Sequence, residues 1–263
     1  MMLKDKVAVI YGAGGAVGGA VARAFAREGA KLFLTGRNRA SVEAVAKEIA
    51  FDGAAVQTAE VDALEEGAIS RHLQSVIDEA GRIDISFNAV GIPNTNLQGV
   101  PLVDLALDQF SRPIVTYTET YLLTARQAAR WMVKRKSGVI MTVTSTPSRT
   151  GIPMMGGVGP AMAAVEALTR NFSAELARDG VRVVGLRPLG MPDSGTIREV
   201  YGLHAKAWGI SWDQFHDLIA SRTHTRRLTT LAEMANAAAF IASDQASAMT
   251  GTIVNMSLGA LDD

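Results

Sequence analysis

Hydrophobic positions along the chain switch repeatedly between two periods. Short apolar runs rich in β-branched residues, such as Val7-Ala8-Val9-Ile10, give way to longer stretches where apolar residues recur four apart, as Val17, Val21 and Phe25 do. This pattern predicts strands over residues 7–10, 31–34, 56–61, 83–87, 139–143, 181–186 and 252–256. It predicts helices over residues 16–28, 39–49, 67–80, 113–134, 160–178 and 232–242. Pro113 and Pro160 are each expected in a first helical turn, where a missing N–H costs little. Strand–helix alternation with apolar strands implies a single α/β domain over residues 1–263, a doubly wound parallel sheet covered on both faces. In such sheets ligands bind beyond the strand C-termini, where the winding reverses. Residues 191–230 break the alternation and carry Trp208, Trp212 and Phe215, which makes them a natural substrate lid after the sixth strand.

Composition narrows the chemistry. Lysine plus arginine (26) balances aspartate plus glutamate (26), so no global field is available to hold nucleic acid or an anionic membrane. The absence of cysteine removes disulfides, thiolate metal sites and thiol nucleophiles. His204, His216 and His224 lie in one region, but no pair has the i, i+4 spacing of a helical metal site, and no metal is expected. Met1 to Lys6 lead directly into an apolar strand without the features of a signal peptide, and no window has bilayer-spanning length, so a soluble cytoplasmic protein is expected.

The turn Gly12-Ala13-Gly14-Gly15-Ala16-Val17-Gly18 joins the first strand to the first helix. Glycines let a backbone approach a diphosphate closely, and the helix N-terminal N–H groups then face its charge. The second strand ends Leu34-Thr35-Gly36-Arg37-Asn38, without the acid that would bind a ribose 2′-hydroxyl. Arg37 can pair with a 2′-phosphate, with Arg39 as a helper, which favours NADP(H) over NAD(H).

Together these segments resemble the short-chain dehydrogenase/reductase family over nearly the whole chain. Its opening motif falls on Tyr11 to Gly18, with Tyr11 in place of a threonine and Ala16 in place of the middle glycine. Asp62 falls where the family contacts the adenine, Phe87-Asn88-Ala89-Val90-Gly91 is similar to its Asn-Asn-Ala-Gly motif, and Ala242-Ser243-Asp244 with Thr250-Gly251 resembles its C-terminal signature. The resemblance implies a Rossmann-type fold, a dinucleotide held by Gly12, Gly14, Gly15, Val17, Gly18, Arg37, Asp62, Asn88, Gly91 and Pro188, and a small-molecule substrate. It also implies a homo-oligomer, tetramer or dimer, built on the two long helices; the alanines Ala161, Ala164 and Ala167 suit close helix approach.

The catalytic positions depart from that pattern. The family uses a serine, then a tyrosine followed four residues later by a lysine. Ser145 occupies the serine position, but the register of the following helix puts Val158 at the tyrosine position and Met162 at the lysine position. None of the four tyrosines has a lysine four residues later, and Tyr117 stands where the family has an asparagine. Loss of the lysine removes a charged hydrogen bond to the ribose, about 1.5–3 kcal/mol of affinity.

Two readings follow. One is an NADP(H)-dependent oxidoreductase with an atypical active site, acting on a C=N, C=C or activated C=O bond. Reduction of a protonated imine ends at a neutral amine and needs no acid. Tyr117, sharing a helix face with Tyr121, is the candidate replacement acid beside Ser145; Tyr201 and His204 are further candidates, although a lid histidine is ordinarily solvated. The other reading is a dinucleotide-binding or sensing relative without chemistry. Apolar packing of Val158 and Met162 suits either.

Overall fold

The computed structural model describes residues 1–262. Seven strands form one parallel sheet: β1 (Val7–Tyr11), β2 (Lys31–Gly36), β3 (Val56–Glu60), β4 (Ile85–Asn88), β5 (Gly138–Val143), β6 (Val181–Pro188) and β7 (Thr252–Met256). Their order is β3-β2-β1-β4-β5-β6-β7, so the winding reverses between β1 and β4. The helices are α1 (Ala16–Arg27), α2 (Arg39–Phe51), α3 (Glu66–Ala80), α4 (Leu107–Arg135), α5 (Val158–Leu176), α6 (Gly195–Trp208), α7 (Trp212–Ala220) and α8 (Leu231–Ala242).

Alternation along each strand feeds two cores. Ala8 and Ile10 of β1 face one side and pack with Val21 and Phe25 of α1, Ile49 of α2 and Met234 of α8. Val7, Val9 and Tyr11 face the other and pack with Leu73 of α3, Tyr121 of α4 and Val165 of α5. Burial on both faces is why the central strands read as unbroken apolar runs. The edge strand β3 (VQTAE) has no fully buried residue, which accounts for its polar composition.

Two expectations change. Helix α4 begins at Leu107, so Pro113 lies inside it and not in its first turn. An internal proline costs about 3 kcal/mol or more. Tertiary contacts offset this: Gly157 packs against the Phe110 carbonyl and the Pro113 ring, and Arg112 Nη2 donates to the Pro93 carbonyl at 2.6 Å. The irregular stretch after β6 is itself largely helical, with α6 capped by Ser194 and α7 by a Ser211–Gln214 capping box.

Candidate active site

At the switch point, Gly12 ends β1 with φ +73°, and a Cβ there would lie 2.5 Å from the Ala89 carbonyl oxygen of the β4 loop. A Cβ at Gly14 would run into the Ser41 hydroxyl, and one at Gly18 into the Gly12 carbonyl. Backbone therefore leaves no room for a side chain at Gly12 or Gly18, and the Ser41 side chain crowds Gly14. Helix α1 starts with Gly15 as its N-cap, without a capping side chain or an acid in the first turn. Its leading N–H groups and positive dipole end are available to an anion. This cradle fits a dinucleotide diphosphate.

A cavity of about 560 Å³ opens over the turn. Gly12, Gly14, Gly15 and Val17 border it, as do Arg37, Gly91, Tyr117, Ser145 and Pro188. Gly18 packs beneath the turn. Asp62 borders a smaller adjoining space of about 90 Å³, shared with Arg37 and Gly91, and its Oδ1 accepts the Leu64 N–H at 3.0 Å. Asn88 borders neither. It is buried, donates to Thr124 Oγ1 at 3.0 Å and accepts from the Val90 N–H at 3.1 Å, which fixes the loop that carries Gly91.

Arg37 is exposed at the end of β2, and among the described residues no carboxylate pairs with it. Arg39 differs from expectation: its Nε pairs with Glu43 at 2.7 Å, an i, i+4 contact within α2 that competes with a helper role.

The cavity wall formed by α5 is apolar. Val158 and Met162, both 6% exposed, border the cavity and pack with Leu97, Ile92, Ile114 and Tyr117. Ser145 follows β5 in extended conformation, at the head of a 3₁₀ turn over Thr146–Ser148. That turn is anchored from behind by the next rung of the same α5 face. Glu166 Oε1 accepts from Thr144 Oγ1 at 3.0 Å and from Ser148 Oγ at 2.6 Å, and Glu166 is ion-paired with Arg187 of β6. Nothing in the sequence pattern flagged Glu166 or Arg187. Their only signal is that Glu166 continues the four-residue ladder from Val158 and Met162.

Tyr117 projects from α4 into the cavity wall, packed with Val158, Met162 and Ile92. Burial pushes its pKa up, partly countered by the Ile92 backbone and by Arg112. Tyr121 is turned away, buried and bonded to Thr169 at 3.1 Å.

Helices α6 and α7 roof the cavity. His204, expected to be solvated, is instead 1% exposed. It stacks on Phe215 with centroids 5.5 Å apart, its Nε2 lies 3.3 Å from Gln98 Oε1, and burial pushes its pKa down. Tyr201 also borders the cavity, and burial raises its pKa. Among the described residues, Arg37 is the one charged side chain on the cavity wall; no lysine or carboxylate borders it.

Comparison with known proteins agrees with this architecture. A family model described as enoyl-(acyl carrier protein) reductase matches residues 12–260. The chain is 28% identical over 249 residues to the uncharacterized oxidoreductase YxbG of Bacillus subtilis, covering 95% of this chain and 88% of that protein. Its fold matches NAD+-bound xylitol dehydrogenase with a TM-score of 0.91 and 26% identity, covering 98% of this chain and 100% of the other. An actinorhodin polyketide ketoreductase with NADPH matches at a TM-score of 0.88 and 23% identity, covering 97% of each chain.

Proposed function

The chain belongs to the short-chain dehydrogenase/reductase family, and from that premise we propose that it is an NADP(H)-dependent oxidoreductase reducing a small-molecule C=N, C=C or activated C=O bond. The observation that carries this reading is that Val158 and Met162 border the same cavity as the glycine turn and Ser145. When bound, the dinucleotide supplies a hydride from its nicotinamide.

The residues divide the remaining work. The glycine turn and the N-terminus of α1 hold the diphosphate, and Arg37 pairs with a 2′-phosphate. Solved relatives carry either NAD+ or NADPH, so the choice of NADP(H) rests on Arg37 and the missing acid at the end of β2. Ser145 orients the substrate heteroatom through its hydroxyl. Val158 and Met162 exclude water from the reacting face and leave no tyrosine–lysine pair to protonate an alkoxide. An imine that arrives protonated needs no such donor, and Tyr117 is positioned to supply a proton where a conjugated or activated carbonyl requires one.

A dinucleotide-binding relative without chemistry is the competing reading, favoured by a wall that carries no lysine or carboxylate among the described residues. We place the protein in the cytoplasm, as a dimer or tetramer through α4 and α5; exposed Val115 and Leu122 on α4 support that surface. No helix among the described residues is long and apolar enough to cross a membrane.

Calorimetric titration with NADPH and NADH, on the wild type and on Arg37→Ala, tests the cofactor assignment. NADPH is expected to bind more tightly than NADH, and Arg37→Ala to lose about tenfold or more in NADPH affinity alone. Equal binding of both nucleotides, or losses that match in the variant, would remove the assignment.

A further inference from the structure

The charges around the cavity are engaged away from its Ser145 end. Arg37 borders the cavity at the end of β2, three strand spacings, or roughly 14 Å, from β5, which leads into Ser145. Glu166 and Arg187 neutralise each other behind the Ser145 loop, and neither borders the cavity. Glu199 of α6 is exposed and accepts from Thr95 Oγ1 at 2.8 Å, while Arg112 of α4 donates to the Pro93 carbonyl. His204 does border the cavity, but burial pushes its pKa down and keeps the imidazole neutral at pH 7.

What remains at that end is hydrocarbon from three directions. Ile92 comes from the loop after β4, Met155, Val158 and Met162 from the start of α5 and the turn before it, and Val200 and Phe215 from the lid. The polar side chains among them are uncharged, and Asn94 and Gln98 bond to each other at 2.7 Å. A charged group brought here from water meets no opposite charge among the described residues, and an unpaired charge taken out of water is costly.

We infer that this end of the cavity selects an uncharged, largely hydrocarbon hydride acceptor and discriminates against molecules carrying a carboxylate or an ammonium group. This rests on the reading of the cavity as a substrate site and ranks the acceptors that reading allows. A neutral conjugated or activated carbonyl compound comes first. Burial disfavours the protonated form of an imine, as of any cation without a carboxylate beside it, so imines rank after.

Two pairs of enones, matched in shape but not in charge, test this without turnover. The first pair is 4-(4-tert-butylphenyl)but-3-en-2-one and its 4-trimethylammonio analogue; the second is the 4-nitrophenyl enone and its 4-carboxyphenyl analogue. Calorimetric titrations with and without NADP+ should find the neutral member of each pair bound at least about tenfold more tightly. The ammonium pair is decisive, because a bound diphosphate attracts a cation and repels a carboxylate. Met155→Glu should raise affinity for the ammonium enone about tenfold by supplying the missing carboxylate. A neutral preference below about threefold in the ammonium pair, or an ammonium affinity that Met155→Glu leaves unchanged, overturns the inference. Neutral preference without any nucleotide binding would remove the cofactor reading and leave the charge selection as assigned; nucleotide binding without the preference would do the reverse.

Discussion

Glu166 Oε1 lies 2.8 Å from Arg187 Nε, with both side chains 2% exposed, and the same oxygen accepts the hydroxyls of Thr144 and Ser148 on either side of Ser145. One carboxylate thus joins α5, β6 and the loop that carries the candidate catalytic serine. Breaking a buried pair by removing one partner is strongly destabilising: Arg187 loses its carboxylate, Ser148 Oγ loses this acceptor, and Thr144 Oγ1 keeps only the Leu186 carbonyl at 3.3 Å. Glu166→Leu is expected to lower unfolding free energy by about 3 kcal/mol in urea denaturation. A loss below about 1 kcal/mol, the range of an exposed pair, would contradict this.

Tyr117 gives a prediction that separates substrates. Its hydroxyl keeps its proton, since burial raises its pKa. Tyr117→Phe should slow reduction of an activated ketone about 100-fold or more, the usual contribution of a positioned acid, and leave reduction of a protonated imine nearly unchanged. Equal rates on the ketone before and after substitution would reduce Tyr117 to packing against Val158 and Met162.

His72 makes folding sensitive to acid. It is 9% exposed on α3, and burial lowers its pKa from 6.5 to about 4. Above about pH 6.5 the imidazole is neutral in both states and its contribution is at full strength. As pH falls from 6.5 to 4, the unfolded chain takes up a proton that the fold refuses, so stability declines. Below 4 the loss levels off, at on the order of 3 kcal/mol. Chemical denaturation at pH 7 and pH 4 should show this decline, and His72→Leu should reduce it. A variant with an unchanged pH dependence would refute the assignment.

The fold was legible because its signals are local. Val7 to Ile10 form a buried run that ends in glycines, and Gly12 at φ +73° needs the residue it has. That Val158 and Met162 share a helix face is likewise readable from their spacing, and both border the cavity. What escaped depends on distant partners. Pro113 marks a helix start by local rules, yet packing of Phe110 and Pro113 on Gly157 sustains helix before it. The sequence allows Arg39 to help bind a phosphate, but Glu43 one helical turn on pairs with its Nε at 2.7 Å. His204 and Gln98 stand 106 positions apart, so neither the contact between them nor the burial of the imidazole has any trace in sequence spacing.

Hydride transfer in this cavity, under the proposed function, proceeds without a tyrosine–lysine pair. Stopped-flow observation of NADPH absorbance, with the wild-type protein in excess over NADPH and a panel of imines, enones and activated ketones, tests it most directly. The account predicts single-turnover oxidation of NADPH with at least one protonated imine or enone, absent when the acceptor is omitted. NADPH that binds but is never oxidised across the panel would contradict it and establish a dinucleotide-binding protein in place of an enzyme.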